Sequence, residues 1–178
     1  MTCEQQPEIP NGFTWKDLTA IQGKIPMPTD WFSKERVDGK VRSYFLTREP
    51  ITSDSPEGFF TTGLSMYIAP RVNQDFNRPP SEVAKRFVTK QKEMTPVSDY
   101  EIKLDGKLVV CRRNFTIGRK FLVGGRIIEP MNVYAEATGN DHTGTLFTMI
   151  FESPIEKWPE DKEIGCVMIN NRVLSQEI

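Results

Sequence analysis

Residues Thr145 to Ser153 read TLFTMIFES. In an extended chain Phe147, Met149 and Phe151 fall on one face and Leu146, Thr148 and Ile150 on the other, which is the two-residue period of a sheet. Large side chains on both faces predict a strand in the middle of a sheet, covered on both sides. Upstream, NVYAEAT (Asn132 to Thr138) also reads as extended, and the intervening GNDHTG (Gly139 to Gly144) is rich in residues that tolerate positive φ. The two runs therefore form a long antiparallel hairpin, its first arm starting near Ile127. Downstream, Pro154 breaks the ladder and Pro159 opens a helix over about residues 159–170. Glu160 and Asp161 suit the positive end of that helix dipole, and Ile164, Val167 and Met168 supply its buried stripe.

Working outward, KVRSYFLTR (Lys40 to Arg48) and GLSMYIAP (Gly63 to Pro70) alternate as strands, separated by a loop over Glu49 to Gly58. The period then changes. Val83, Ala84, Phe87 and Val88 form a helical stripe behind Pro80, predicting a helix over about 80–93 that packs on the sheet through Phe87 and cannot pass Pro96. In YEIKLDGKLVVC (Tyr100 to Cys111), Asp105-Gly106 between extended runs signals a tight hairpin pairing Ile102 with Val109. RNFTIGRKFLVGG (Arg113 to Gly125) reads as a twisted hairpin tip or a mobile flap. IQGKIPMP (Ile21 to Pro28) is an edge strand interrupted by proline, with Trp31 and Phe32 as an anchor after it. Residues 1–11 make a flexible tail and 12–178 a single domain. Strands with only two helices among them predict an α+β fold, a mostly antiparallel sheet flanked by helices, because a parallel βαβ series needs a helix between most strands.

The chain has 178 residues, 38% hydrophobic and 26% charged, with a formal net charge of -1. That length buries a sizeable core without disulfide or metal staples, and the charge gives no bulk attraction to nucleic acid or membrane. No apolar run approaches the ~20 residues of a membrane helix and no signal-peptide core follows Met1, so the chain as it stands reads as cytoplasmic. If an upstream signal has been removed, it would be exported, and Cys3, followed by the polar EQQPEIPNG, would suit a lipid anchor. Cys111, on an expected strand, and Cys166, on an expected helix, are expected as buried small hydrophobes rather than disulfide partners or metal ligands.

Little in the chain points to catalysis. His142 is the only histidine, and no nucleophile is placed beside it or Asp141 by any motif, so it reads as a turn residue. Glu160, Asp161 and Glu163 lack the alternating oxygen spacing of a calcium loop. Gly118, Gly124 and Gly125 lack the setting of a phosphate loop. No metal or cofactor is expected. One cluster remains: Arg112, Arg113, Arg119, Lys120 and Arg126 interleave with Phe115 and Phe121, and no acid lies between Asp105 and Glu129. As a flap, this segment presents a basic, aromatic-studded surface to an acidic partner; as plain strands, it puts the arginines in water and the aromatics in the core.

Four stretches carry a family likeness: GKIPMPTDWF (Gly23 to Phe32), GLSMYIAP leading to PPSEVAKRF, TGTLFTMIFESPIEKW (Thr143 to Trp158), and the closing helix with VMINNRVL (Val167 to Leu174). By pattern and element order the chain resembles the PsbP-type superfamily over about residues 12–174. That superfamily includes photosystem II extrinsic proteins, the Ran-binding import factor of the Mog type, bacterial lipoproteins and small secretion chaperones. Gly118 to Gly125 departs from the pattern as an insertion in mid-sheet. The resemblance implies a sheet sandwiched between helices and binding to a larger protein rather than catalysis. The expected function is that of a non-enzymatic binding or assembly protein with a protein partner, engaged through residues 112–126 or a sheet edge; the alternative is a carrier with an apolar pocket between sheet and helices.

Overall fold

The structure is a computed structural model that describes residues 8–51, 60–90, 94–118, 122–123, 126–127 and 130–174, with backbone alone for the two short stretches 122–123 and 126–127. In chain order the strands are β1 (Phe13–Leu18), β2 (Gly23–Pro28), β3 (Phe32–Asp38), β4 (Val41–Thr47), β5 (Gly63–Ala69), β6 (Thr95–Pro96), β7 (Glu101–Asp105), β8 (Leu108–Ile117), β9 (Leu122–Val123), β10 (Arg126–Ile127), β11 (Met131–Asn140) and β12 (Thr145–Pro154). The helices are α1 (Val72–Phe76), α2 (Pro80–Thr89) and α3 (Trp158–Asn170). Eight strands form one antiparallel sheet in the order β3-β4-β5-β12-β11-β8-β6, with β7 also paired to β8. The TLFTMIFES stretch is β12, between β11 and β5 in mid-sheet.

The alternation along β12 divides the core. Phe147, Met149 and Phe151 join Tyr44, Leu46, Leu64 and Met66 on the face covered by α3 and by the β1–β2 ribbon, which adds Leu18, Ile25 and Met27. The opposite face is closed by α2, where Ala84 and Val88 meet Cys111, Ala137 and Leu146, while Phe87 reaches toward Phe115, Met131 and Val133. Helices thus lie on both sides of the sheet. The β1–β2 ribbon is tied down at a polar point: the buried Tyr44 hydroxyl accepts from the Ala20 amide at 3.0 Å. Its other tie is a β-bridge in which Lys24 and Val173 exchange amide hydrogen bonds of 2.8 Å each.

At the other end, Gly139 of β11 lets α2 approach, since a Cβ there would lie 2.5 Å from Pro80 C and Ser81 N. Asp141 in the β11–β12 loop then caps α2, accepting from the Ser81 amide at 2.8 Å and its hydroxyl at 2.6 Å. His142 beside it is exposed, its amide donating to Asn140 Oδ1 at 3.0 Å in an Asx-type turn.

Several expectations need correction. The Asp-Gly hairpin places Gly106 (φ +60°) and Lys107 in the loop, so Asp105 faces Leu108 and Ile102 pairs with Cys111, not Val109. Glycine at the first loop position supplies the positive φ such a turn needs. The arm expected from Ile127 is interrupted, with Ile127 closing β10 and β11 starting only after Pro130. Helix α2 ends at Thr89, where the Arg113 guanidinium donates to the Val88 carbonyl at 3.4 Å; residues 91–93 lie outside the described residues. Residues β3 (FSKERVD) and α1 (VNQDF) were not anticipated as elements, because the first is charged along both faces and the second is too short for a helical stripe. The buried stripe of α3 is Asp161, Gly165, Met168 and Ile169, with Ile164 and Val167 only half-buried. This rotation also leaves Cys166 exposed, against the expectation of burial, while Cys111 is buried. Of the expected tail, residues 1–7 lie outside the described residues.

Candidate functional site

Helix α3 crosses the sheet over β12, leaving the α3-facing side of β11 and β8 as the floor of a groove of about 730 Å³. Asn132, Tyr134, Arg112 and Asn114 contribute to the floor; Trp158, Lys162, Cys166, Ile169 and Asn170 of α3 form one wall, and Val97 to Asp99 with Glu101 the other. The α3 residues recur every three or four positions, so a single helical stripe faces the groove. Trp158 packs on Phe151 with ring centroids 6.0 Å apart.

The groove's width is set by how α3 is held, and it is held at both ends by charge. In its first turn Asp161 is 1% exposed. It takes Arg48 Nη2 at 2.5 Å and Thr62 Oγ1 at 3.4 Å, and the Ser153 hydroxyl also donates to it. Dipole compensation therefore understates Asp161, which ties the helix to β12 and the start of β5. Just past the other end, Arg172 donates to the Ile169 carbonyl at 2.5 Å and to Glu136 Oε1 of β11 at 2.5 Å.

Glu136, 1% exposed, is the hub beneath the groove. Its Oε2 also accepts from Arg112 Nε at 2.6 Å and from the Tyr134 hydroxyl at 2.9 Å. A carboxylate this deep requires such partners, since an unpaired buried charge is strongly unfavourable. Burial works to lower the Arg112 pKa, but Glu136, aided by Tyr134 and Glu101, more than reverses it and leaves the guanidinium more firmly protonated. Burial, then the neighbouring Glu136, pushes the Tyr134 phenol well above its ordinary value. Both groups keep their protons, and together with Arg172 they hold Glu136 in an ion-paired cluster that fixes the end of α3 against β11.

Of the seven residues singled out from the sequence, the structure brings Arg112, Arg113 and Phe115 to the groove region. Arg112 is engaged with Glu136. Arg113 lies between the rings of Tyr100 and Phe115, 5.9 and 5.7 Å from their centroids, and donates to the Ser98 carbonyl at 3.0 Å. Phe115 is 1% exposed. Its side chain belongs to the core under α2, so the expectation of a surface aromatic there is corrected: strand alternation turns it inward. Arg119, Lys120 and Phe121 lie outside the described residues, and Arg126 is placed by its backbone, paired with Val123 in a small β9–β10 ribbon. Sequence reasoning missed Asn132, Tyr134, Glu136, Trp158, Lys162 and Arg172. The available signal was Glu136 itself, an acid on a strand bound for mid-sheet, which demanded a buried cation.

The architecture defines a class: an α+β domain with a mostly antiparallel sheet between helices, of PsbP-like fold. Among solved structures, the chain is similar to the solution structure of cyanobacterial PsbP (CyanoP) from Synechocystis sp. PCC 6803, with a TM-score of 0.55 at 16% identity over 92% of each chain. At that identity the likeness is one of fold. No protein-family model and no curated protein matches the chain. Among the described residues, no helix is long and apolar enough to cross a membrane.

Proposed function

We propose that the protein is a non-enzymatic binding or assembly factor that takes an extended segment of a protein partner into the groove between α3 and strands β8 and β11. The observation that carries this reading is the chemistry of the lining. The side-chain amides of Asn114, Asn132 and Asn170 border the groove and make no hydrogen bond to another described residue. Each offers a donor and an acceptor, the complement of a peptide main chain, beside the aromatic surface of Trp158. The PsbP-like fold supports the reading by analogy alone. Arg119, Lys120 and Arg126, with Phe121, would extend the contact toward acidic groups on the partner, and Arg112, Arg113 and Phe115 would support that edge from beneath.

Cys166, exposed in the groove wall, provides the test. A maleimide-benzophenone attached there in a Cys3→Ser background and photolysed in an extract of the native host should join the protein to a discrete partner, and Asn132→Arg, which fills the floor, should abolish the adduct. Equal adducts with and without Asn132→Arg, in a variant that folds normally, would refute the groove as the binding site. A small molecule carried through native mass spectrometry would instead favour the carrier reading, with the same groove as its pocket.

A further inference from the structure

We propose that the free edge of β7 pairs with the same edge of a second copy, making a two-fold dimer. Among the described residues, strand β7 pairs with β8 on one side only, and all five of its residues are exposed. Asp105 and Leu108 flank a two-residue loop and so form the hydrogen-bonded pair that closes the hairpin. Alternation from that pair turns the main-chain N–H and C=O of Leu104 and Ile102 away from β8, toward solvent. Their side chains are large, apolar and uncovered: Leu104 is 74% exposed and Ile102 44%, with Tyr100 at 45% just before the strand. An edge of this kind is a template for another strand.

The order of residues argues that the second strand is a copy of the first. An antiparallel two-fold axis through Ile102 places Ile102 against Ile102 and Leu104 against Tyr100 of the second copy, which are the positions with outward-facing main-chain groups. It places Glu101 against Lys103 twice, in the non-hydrogen-bonded positions where side chains come closest. An axis through Leu104 also opposes unlike charges, Lys103 to Asp105 and Glu101 to Lys107, but it sets Ile102 against the turn residue Gly106, so the axis through Ile102 is the one that pairs both apolar positions of β7 with apolar partners. Moving the axis to Lys103 sets Lys103 against itself and Glu101 against Asp105. The contact is small, so the dimer should be reversible and concentration-dependent.

Sedimentation velocity of the full chain over a range of concentrations tests this. A monomer–dimer equilibrium is expected; Lys103→Glu should weaken it by about tenfold or more, because two like-charged pairs replace two complementary ones. The swap Glu101→Lys with Lys103→Glu should restore it. Amide exchange at Ile102 and Leu104 should slow as concentration rises. A protein that stays monomeric at all concentrations, or a dimer indifferent to Lys103→Glu, overturns the proposal, and a swap that fails to restore association refutes this register.

Discussion

Replacing Glu136 by alanine removes the acceptor shared by Arg112, Arg172 and Tyr134. The two guanidiniums fare differently. The Arg112 side chain is 36% exposed and can turn to water in the groove, whereas that of Arg172 is 15% exposed and keeps only the Ile169 carbonyl. Stripping one partner from a buried ion pair costs about 3–5 kcal/mol, and solvent access for Arg112 places this case near the lower end, at about 3 kcal/mol. Arg112→Met should cost only about 1–1.5 kcal/mol, since Glu136 retains Arg172 and the Tyr134 hydroxyl. Urea titration followed by tryptophan fluorescence reads the difference: with an m-value of roughly 2 kcal/mol/M, Glu136→Ala should lower the midpoint by roughly 1.5 M at unchanged slope. Most of the loss should persist in high salt, because the pair is shielded from bulk ions. A loss below about 1 kcal/mol, or equal losses for Glu136→Ala and Arg112→Met, would refute the hub.

Tyr134 gives the cluster an alkaline signature. Its phenol holds its proton in the folded chain at pH values where the unfolded chain has released it, so folding binds more protons and stability falls as pH climbs past about 10, with no effect below. Thermal melting between pH 8 and 11 should show a shallower alkaline decline for Tyr134→Phe than for the wild type; parallel curves would contradict the shift. Gly165→Ala should destabilise by about 1–3 kcal/mol by thermal denaturation, although alanine is the better helix former, because its Cβ would lie 2.8 Å from the Phe151 ring. A gain in stability would show that α3 stands farther from β12.

The parts of this fold that could be read in advance are those in which one periodicity dominates. Leu64, Met66 and Ile68 alternate cleanly in β5, and Ala84 and Val88 behind Pro80 mark α2 without ambiguity. Asp105-Gly106 announced its hairpin, but the one-residue choice between Asp-Gly and Gly-Lys as the loop decided the register, and composition does not separate those two turns. In α3 the apolar positions suggested one face, while the buried ion pair at Asp161 and the missing side chain at Gly165 rotated the helix to another. A polar anchor and a glycine contact are invisible to a hydrophobic stripe. The groove was illegible for a related reason: its lining comes from the segment between β6 and β7, from β7, β8, β11 and β12, and from α3, which are far apart in the sequence, and more than half of it is polar or charged, ordinary surface residues until a tertiary arrangement gathers them.

The bridge between Lys24 and Val173 bears on the order of assembly. The ribbon has, as its backbone partner outside itself, a segment made much later in the chain, and its apolar underside rests on β4, β5 and β12, the last of these also made well after it. Until the segment around Val173 follows, Leu18, Ile25 and Met27 have no complete seat, so this earlier-made ribbon should be among the last pieces of the domain to lock in place. Deleting the residues around Val173 would then loosen a region far away in the sequence, a coupling that linear maps of the chain would never suggest.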